Sequence, residues 1–147
     1  MEIRKIENNK IEYMNILLEA DPDENIVSKY LEKGDLYIGE KDGTAVCVCV
    51  ITKYDEETCE LKNIATLPSV RGNGYAGKMI KYVFEIYRGI YKKMIVGTTE
   101  NMIPFYVLNG FNRYHHTVKN FFVDNYEKEI WDGNLHCIDM YYYSKEL

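Results

Sequence analysis

The sequence contains no long apolar run, no C-x-x-C pair and no surplus of positive charge, and each absence argues against a class of protein. No stretch approaches the roughly 18–20 apolar residues of a membrane-spanning helix, so no membrane association is expected. The first five residues, MEIRK, are charged and lack the apolar segment of a secretion signal. The four cysteines at positions 47, 49, 59 and 137 are therefore expected to be reduced thiols of a cytoplasmic protein.

Positive charge and proline are both scarce. Lys and Arg number 18 against 23 Asp and Glu, for a formal net charge of −5, and the basic residues form no strong cluster, so nucleic acid is not an expected partner. Only 3 prolines and a hydrophobic fraction of 46% argue against disorder. A chain of 147 residues fits one domain, with no need of a disulfide or metal staple.

The spacing of apolar residues predicts the element order β-α-α-β-β-β-α-β-α-β-β. Asp21 is expected to cap the second helix, with Pro22 as its first residue and Gly34 as its stop. Helices that follow single strands, together with hairpins, predict a mixed α/β sheet with helices on both faces. The predicted strands cover 2–6, 36–40, 44–52, 58–66, 93–98, 111–122 and 135–144, and the predicted helices cover 10–20, 22–33, 73–88 and 101–109.

The densest group of functional residue types is the segment RGNGYAGK, residues 71–78, between a predicted strand and a predicted helix. Glycines let a ligand approach the backbone, and the free N–H groups at a helix start favour anions such as phosphate. Gly72, Gly74 and Gly77 fit the dinucleotide fingerprint G-x-G-x-x-G, which normally opens directly from its strand. The segment also fits a P-loop, but Met79 stands where a hydroxyl should hold Mg²⁺. A tight turn without a ligand is a further interpretation.

A third interpretation accounts for the flanking residues as well. Residues 71–76, RGNGYA, fit the Q/R-x-x-G-x-G/A pattern, and they resemble the pyrophosphate arm of the GNAT family of N-acetyltransferases. The preceding stretch ELKNIAT, residues 60–66, resembles the family's fourth strand, and Pro68 is common just before the arm. Asn101 followed by PFYVLNGF, residues 104–111, is similar to the family's N…F-Y-x-x-x-G-F stretch. The tail resembles that of small bacterial GNAT proteins of undefined substrate.

This resemblance implies a single-domain GNAT-like α/β (α+β) fold over residues 1–147, with a mixed, mostly antiparallel sheet of about seven strands. It implies acetyl-CoA as cosubstrate, no metal, and a wedge for the cofactor where the fourth strand parts from the next. The N–H groups of the arm would hold the pyrophosphate, and the strand edge and Asn101 would contact pantetheine. The implied cofactor contacts are Ile64, Ala65, Thr66, Arg71, Gly72, Asn73, Gly74, Tyr75, Ala76 and Asn101.

The implied reaction is direct transfer of an acetyl group to a primary amine of a small molecule or peptide. Tyr106 is the candidate general acid, because a phenol with a pKa of about 10 is protonated at pH 7 and can donate to a departing thiolate. Glu60 is the candidate general base, since a glutamate at this strand position takes the proton in related acetyltransferases, often through water. Simple alternation places Glu60 on one face with Lys62 and Ile64. A buried core tyrosine and a solvated, lysine-paired glutamate are the alternative interpretations.

Three further residues have no assigned role. His115 and His116 are adjacent, so they are expected on opposite faces of a strand, and no His or Cys spacing predicts a metal site. Trp131 either covers the acceptor pocket or serves a dimer contact. The tyrosine-rich stretch 141–143 makes a homodimer plausible.

The acceptor pocket is expected between the first two helices, their connection and the last strands. Acidic residues there would suit a cationic amine, although helix capping and a solvated loop are the favoured explanation of them. Two other functions stay open: a non-catalytic acyl-CoA-sensing module of the same fold, and a nucleotide-binding domain built on residues 72–78. The acidic residues concerned are Asp21, Asp23, Glu24 and Asp124.

Overall fold

The computed structural model describes all residues from Met1 to Leu147, and it contains nine strands and five α-helices. The strands are β1 (Glu2–Ile6), β2 (Asp35–Lys41), β3 (Thr44–Lys53), β4 (Thr58–Thr66), β5 (Lys93–Thr98), β6 (Arg113–Val118), β7 (Ile130–Asp132), β8 (Leu135–Cys137) and β9 (Met140–Glu146). The helices are α1 (Met14–Leu17), α2 (Glu24–Lys33), α3 (Tyr75–Tyr87), α4 (Ile103–Leu108) and α5 (Phe121–Asn125). Short 3-10 turns precede α1 and α4 and follow β4.

Seven strands form one sheet in the order β1-β2-β3-β4-β5-β9-β6, and β7 and β8 form a separate hairpin. Only β4 and β5 are parallel, because α3 carries the chain back between them, and every other neighbouring pair is antiparallel. The predicted mixed, mostly antiparallel sheet of seven strands is thus confirmed. None of the helices has both the length and the apolar character that a membrane crossing requires.

Two hydrophobic cores cover the two faces of this sheet. Cys47 and Cys49 of β3 pack toward α3, whereas Val48 and Val50 pack toward α1 and α2. A strand covered on both faces has apolar residues at consecutive positions, which explains the run AVCVCVI at 45–51. The helices therefore lie on both faces, as predicted, and all four cysteines are buried free thiols.

The β2–β3 hairpin follows the prediction closely. Asp42 and Gly43 occupy its turn with φ of 52° and 78°, the left-handed values that a two-residue turn of type I′ requires. The cap of α2 differs from the prediction. Asp23, not Asp21, begins the helix, and its carboxylate accepts hydrogen bonds from the N–H groups of Asn25 (3.0 Å) and Ile26 (3.1 Å). Asp21 is thereby free for contacts elsewhere.

The C-terminal third departs most from the predicted elements. The strand expected over 111–122 ends at Val118, because Asn120 adopts a left-handed φ of 59° and begins α5. The strand expected over 135–144 is split into β8 and the later β9. Helix α5 and the β7–β8 hairpin were not predicted, since each is too short to show a period.

Candidate active site

The parallel strands β4 and β5 separate part of the way along their length. They pair only from Thr58 to Leu61 on β4 and from Lys93 to Val96 on β5, although β4 continues to Thr66. A cavity of about 840 Å³ opens where they part, which is within the range of small-molecule sites. The wedge implied by the family resemblance is therefore present.

Most of the predicted cofactor contacts lie in the wall of this cavity. Eight of the ten line it: Ile64, Ala65, Thr66, Arg71, Gly72, Gly74, Tyr75 and Ala76. Two do not. The Asn73 Nδ2 donates to the carbonyl of Val70 at 2.8 Å, and the Asn101 Nδ2 donates to the carbonyl of Asp132 at 3.2 Å.

One wall of the cavity is the start of helix α3. Gly74 precedes the helix in the left-handed region (φ 78°), and no side chain caps the first turn. The first N–H groups of a helix have no partner within it, and its dipole is positive at that end, so they present a site for an anion. Gly77 lies close to α4, because a Cβ at that position would approach the Asn109 Oδ1 to 2.9 Å.

Arg71 spans the cavity from this turn toward the connection between α1 and α2. Its Nε donates to the carbonyl of Thr66 at 3.3 Å, and its Nη2 lies 3.4 Å from the Glu19 Oε2. Both charged side chains are more than a third exposed, so this ion pair contributes little to stability and exchanges partners easily.

A bulge in β4 alters which of its side chains face the two cores. The pairing register with β3 shifts between Asn63, opposite Val50, and Leu61, opposite Ile51, so Lys62 is the extra residue. Lys62 and Asn63 consequently both face α2: the Lys62 Nζ lies 5.8 Å from the Tyr30 ring centre, and the Asn63 Nδ2 contacts the Tyr30 hydroxyl. Ile64 packs in the α3 core instead. The prediction that Glu60, Lys62 and Ile64 share one face is wrong for Ile64.

Glu60 is buried just behind the cavity wall. It is 8% exposed and does not line the cavity, and its Oε2 lies 3.6 Å from the Nζ of Lys62, which does. Burial raises the pKa of the Glu60 carboxyl, and the positive charge of Lys62 opposes that rise. The carboxylate is thus neither solvated nor in direct contact with the cavity.

Tyr106 lines the cavity from α4, where its hydroxyl has no hydrogen-bond partner within the chain. Its ring packs edge-on against Phe105 and Phe111, with centres 5.1 and 5.9 Å away. Burial raises the pKa of the Tyr106 phenol to about 12, so it keeps its proton at neutral pH. The side chain is therefore an unused proton donor that faces the cavity.

The far end of the cavity is built from segments distant in the sequence: the connection from Leu18 to Pro22, helix α5 and the β7–β8 hairpin. Asp21 joins them, since its carboxylate accepts hydrogen bonds from the hydroxyls of Tyr30 (3.1 Å) and Tyr126 (2.9 Å). Asn63 extends this network, because its Nδ2 donates to Tyr30 (2.9 Å). Sequence analysis missed Tyr30, Asn63 and Tyr126, and no local pattern marks them.

Trp131 lines the cavity and stacks on His136 of the same hairpin, with ring centres 4.8 Å apart. The hydroxyl of Thr99 donates to the Asp132 Oδ2 at 3.0 Å and so fixes the hairpin against the end of β5.

The two adjacent histidines lie outside the cavity wall. A register shift between Tyr114 and His116 places both rings against Tyr54, with the two Nδ1 atoms 2.6 Å apart. The prediction that they lie on opposite faces is therefore wrong. No group of three His, Cys, Asp or Glu side chains is arranged to hold a metal ion.

The tyrosine-rich strand lies inside the sheet. Strand β9 pairs with β5 on one side and with β6 on the other, so its backbone has no free edge for a second chain. Tyr142 on this strand is 6% exposed. Backbone pairing through this strand therefore gives no support to a homodimer.

Comparisons with known proteins agree with this architecture. An acetyltransferase (GNAT) domain family matches residues 32–113. The chain is 29% identical over 138 residues to an uncharacterised N-acetyltransferase of Bacillus subtilis, YvbK, covering 91% of this chain and 88% of that protein.

Solved structures show the same fold. A GNAT family acetyltransferase from Elizabethkingia anophelis with acetyl-CoA bound is 32% identical, with 99% of this chain and 97% of that chain covered and a TM-score of 0.92. A Bacillus subtilis acetyltransferase in complex with CoA is 25% identical, with 99% and 98% covered and a TM-score of 0.86. The parted strands, the uncapped helix start and these matches together show that the chain belongs to the GNAT family of N-acetyltransferases.

Proposed function

We propose that the protein is an acetyl-CoA-dependent N-acetyltransferase that moves an acetyl group directly to a primary amine. The observation that carries this proposal is the cavity between β4 and β5, which brings together an uncapped helix start and the free hydroxyl of Tyr106. The acetyl-CoA and CoA complexes of the similar proteins support the choice of cosubstrate.

Backbone groups form most of the coenzyme end of the cavity. The N–H groups of residues 71–76 bind the diphosphate, and Arg71 exchanges its exposed pair with Glu19 for a phosphate oxygen. Beyond Leu61, β4 no longer pairs with β5, so the edge from Ile64 to Thr66 is free to pair with the pantetheine amides as an added strand would. Asn101 also contacts pantetheine once its side-chain amide gives up the hydrogen bond to the carbonyl of Asp132.

Tyr106 acts as the general acid. In the transfer, the amine nitrogen forms a bond to the acetyl carbonyl carbon, the carbon–sulfur bond breaks, and the sulfur leaves as a thiolate that needs a proton. The raised pKa, about 12, keeps the phenol protonated until then. A backbone N–H near Ile64 polarises the thioester carbonyl.

Glu60 acts as the general base. Burial raises its pKa toward neutrality, which suits a base that must accept a proton near pH 7. Because the carboxylate lies behind the wall, the amine proton reaches it through water beside Lys62 rather than directly.

A non-catalytic acyl-CoA sensor is the alternative, and the position of Glu60 favours it. Glu60 does not line the cavity and pairs with Lys62, and a module that binds acyl-CoA without turnover needs no base in the cavity. The sensor would bind acetyl-CoA without turnover.

Two measurements test these functions. Saturating acetyl-CoA is expected to raise the melting temperature by several degrees, since ligand at 100 times its Kd adds about 2.7 kcal/mol. Mg-ATP serves as the control ligand and is expected to leave it unchanged. Acetyl-CoA consumption over a panel of amines then separates the enzyme from the sensor. Absence of any thermal shift would contradict both.

Three wider expectations stay predictions: that residues 1–147 act as one domain, that the protein is cytoplasmic, and that it forms a homodimer.

A further inference from the structure

We propose that the far end of the cavity binds a second positive charge on the acceptor and that Asp21 is the residue that binds it. The preferred acceptor is then a compact amine with a second ammonium group, such as an alkane diamine. This inference rests on the proposed acetyltransferase function and adds the substrate class.

The charges in the cavity wall support this assignment. Five charged side chains line the wall: Glu19, Asp21, Lys62, Arg71 and Asp132. Arg71 pairs with Glu19, and Lys62 pairs with Glu60 behind the wall. Asp21 and Asp132 have no cationic partner, because only hydroxyl and N–H donors contact their carboxylates.

Asp21 is held in a defined position. Its Oδ1 accepts from the Tyr126 hydroxyl (2.9 Å) and the Asp23 N–H (3.3 Å), and its Oδ2 accepts from the Tyr30 hydroxyl (3.1 Å). These neutral donors orient the carboxylate but leave its negative charge uncompensated in a partly buried wall. An oriented carboxylate without a counter-charge is a suitable site for an ammonium group.

Asn63, next to this carboxylate network, carries a buried side-chain acceptor that has no donor. The residue is 4% exposed and lines the cavity, and its Oδ1 accepts no hydrogen bond. The amide cannot simply be flipped, because its Nδ2 donates to the carbonyl of Leu17 at 3.1 Å, and a flip would set the amide oxygen against that carbonyl oxygen. A buried acceptor without a donor is uncommon, and this one belongs to the side chain that holds the Tyr30 hydroxyl beside Asp21.

Aromatic side chains complete the site. Tyr126 contacts Asp21, Phe122 stacks on Tyr126, and Trp131 lines the same cavity; aromatic faces attract cations. When the coenzyme diphosphate takes Arg71, Glu19 also loses its cation. The acceptor end then becomes more negative just when the acceptor must bind.

The experiment compares kcat/KM for alkane diamines of three to six carbons with that for the matching monoamines and amino acids, for example 1,4-diaminobutane, n-butylamine and 4-aminobutanoate. At least one diamine is expected to exceed its monoamine about tenfold or more, beyond the factor of two from its two equivalent amines. The amino acid is expected to be the poorest of the three. The Asp21→Asn variant is expected to reduce the diamine preference to about two.

Asp23→Asn is the matched control, because it removes the same charge two residues away, lies outside the cavity wall and still caps α2. It is expected to keep the full preference. Asp21→Glu keeps the charge and is expected to keep part of it, which covers the case in which Asp21→Asn does not fold.

The outcomes separate this inference from the proposed function. Equal kcat/KM for diamines and monoamines, or a preference unchanged in Asp21→Asn, overturns the inference and leaves the acetyltransferase in place. Coenzyme binding without acetylation of any amine in the panel overturns both.

Discussion

The two residues proposed for proton transfer owe their chemistry to burial. Tyr106 and Glu60 are ordinary side chains in solution, with pKa values of about 10 and 4.3. In the fold, loss of water raises the pKa of both, which keeps the phenol protonated and brings the carboxyl closer to neutrality. The shift brings Glu60 closer to the working pH, whereas for Tyr106 it secures the protonated form and makes the phenol a weaker acid.

Tyr106→Phe tests the general acid. Removal of the hydroxyl is expected to lower kcat about a hundredfold, within the usual range for a positioned acid, with little change in coenzyme affinity. Steady-state kinetics and a binding titration measure the two quantities. Tyr114→Phe is the control, because Tyr114 is 60% exposed and lies outside the cavity. Equal kcat for Tyr106→Phe and the unchanged protein would remove this tyrosine from the mechanism.

Lys62→Met tests the general base through the pH profile of kcat/KM. Because Lys62 lowers the pKa of Glu60, its loss is expected to raise that pKa and to move the acidic limb of the profile to higher pH. A carboxylate base is active above its pKa, so the Lys62→Met variant is expected to lose activity at mildly acidic pH, where the unchanged protein keeps it. Lys53→Met, which removes an exposed lysine paired with Glu56, is expected to leave the limb in place. An unmoved limb in Lys62→Met would argue that Glu60 is not the titrating base.

Among the elements, helix α3 is the one that we propose binds the coenzyme diphosphate through its start. The left-handed Gly74 turns the chain so that the first N–H groups face the cavity, and no side chain occupies them. The bulge in β4 makes a second contribution, since it directs Lys62 and Asn63 toward α2 while Ile64 stays in the α3 core.

Gly74→Ala tests the helix start. An alanine at φ 78° is strained, so a loss of about 1 kcal/mol of unfolding free energy is expected, and a methyl group at this cavity-lining position is expected to interfere with the proposed diphosphate site. Gly89→Ala provides a matched control, because Gly89 has φ 86° just after the same helix, has open space at its Cβ and does not line the cavity. Both variants are expected to lose similar stability in denaturant titrations. Only Gly74→Ala is expected to lose coenzyme affinity, and equal affinities would contradict the assigned role of this turn.

At the scale of the whole molecule, the sheet connects two cores and one cavity. Leu17 lies in the core under α1 and α2, and Met79 lies in the core under α3, both with no exposed surface. Strand β3 contributes side chains to both cores, so a loss of packing on either face weakens the same sheet.

One cooperative unfolding transition is therefore expected for residues 1–147. Leu17→Ala and Met79→Ala, although in different cores, are each expected to lower the stability of that transition by about 2–5 kcal/mol. Circular dichroism and the fluorescence of the single tryptophan, Trp131, follow it independently. If the two probes report different midpoints, the hairpin or one core unfolds on its own. That result would contradict a single domain.

Local patterns in the sequence determined the strands β1 to β5, the helix α3 and the glycine turn before it. Apolar periodicity, turn residues and helix-start chemistry act within a few neighbouring residues, so they are visible without a fold. The same applies to the family motifs, since eight of the ten predicted cofactor contacts and Tyr106 line one cavity.

Tertiary structure alone decided the acceptor end and the environment of Glu60. The bulge at Lys62 reverses the alternation of β4. Asp21, which does not cap α2, accepts hydrogen bonds from Tyr30 and Tyr126, which are 9 and 105 residues away. Register shifts and hydrogen bonds between distant segments follow from how the sheet closes around its two cores, and no local propensity encodes them. The physical reason is the range of the forces: backbone preference acts over a few residues, whereas burial, pKa and the pairing of charges depend on everything that the fold brings near.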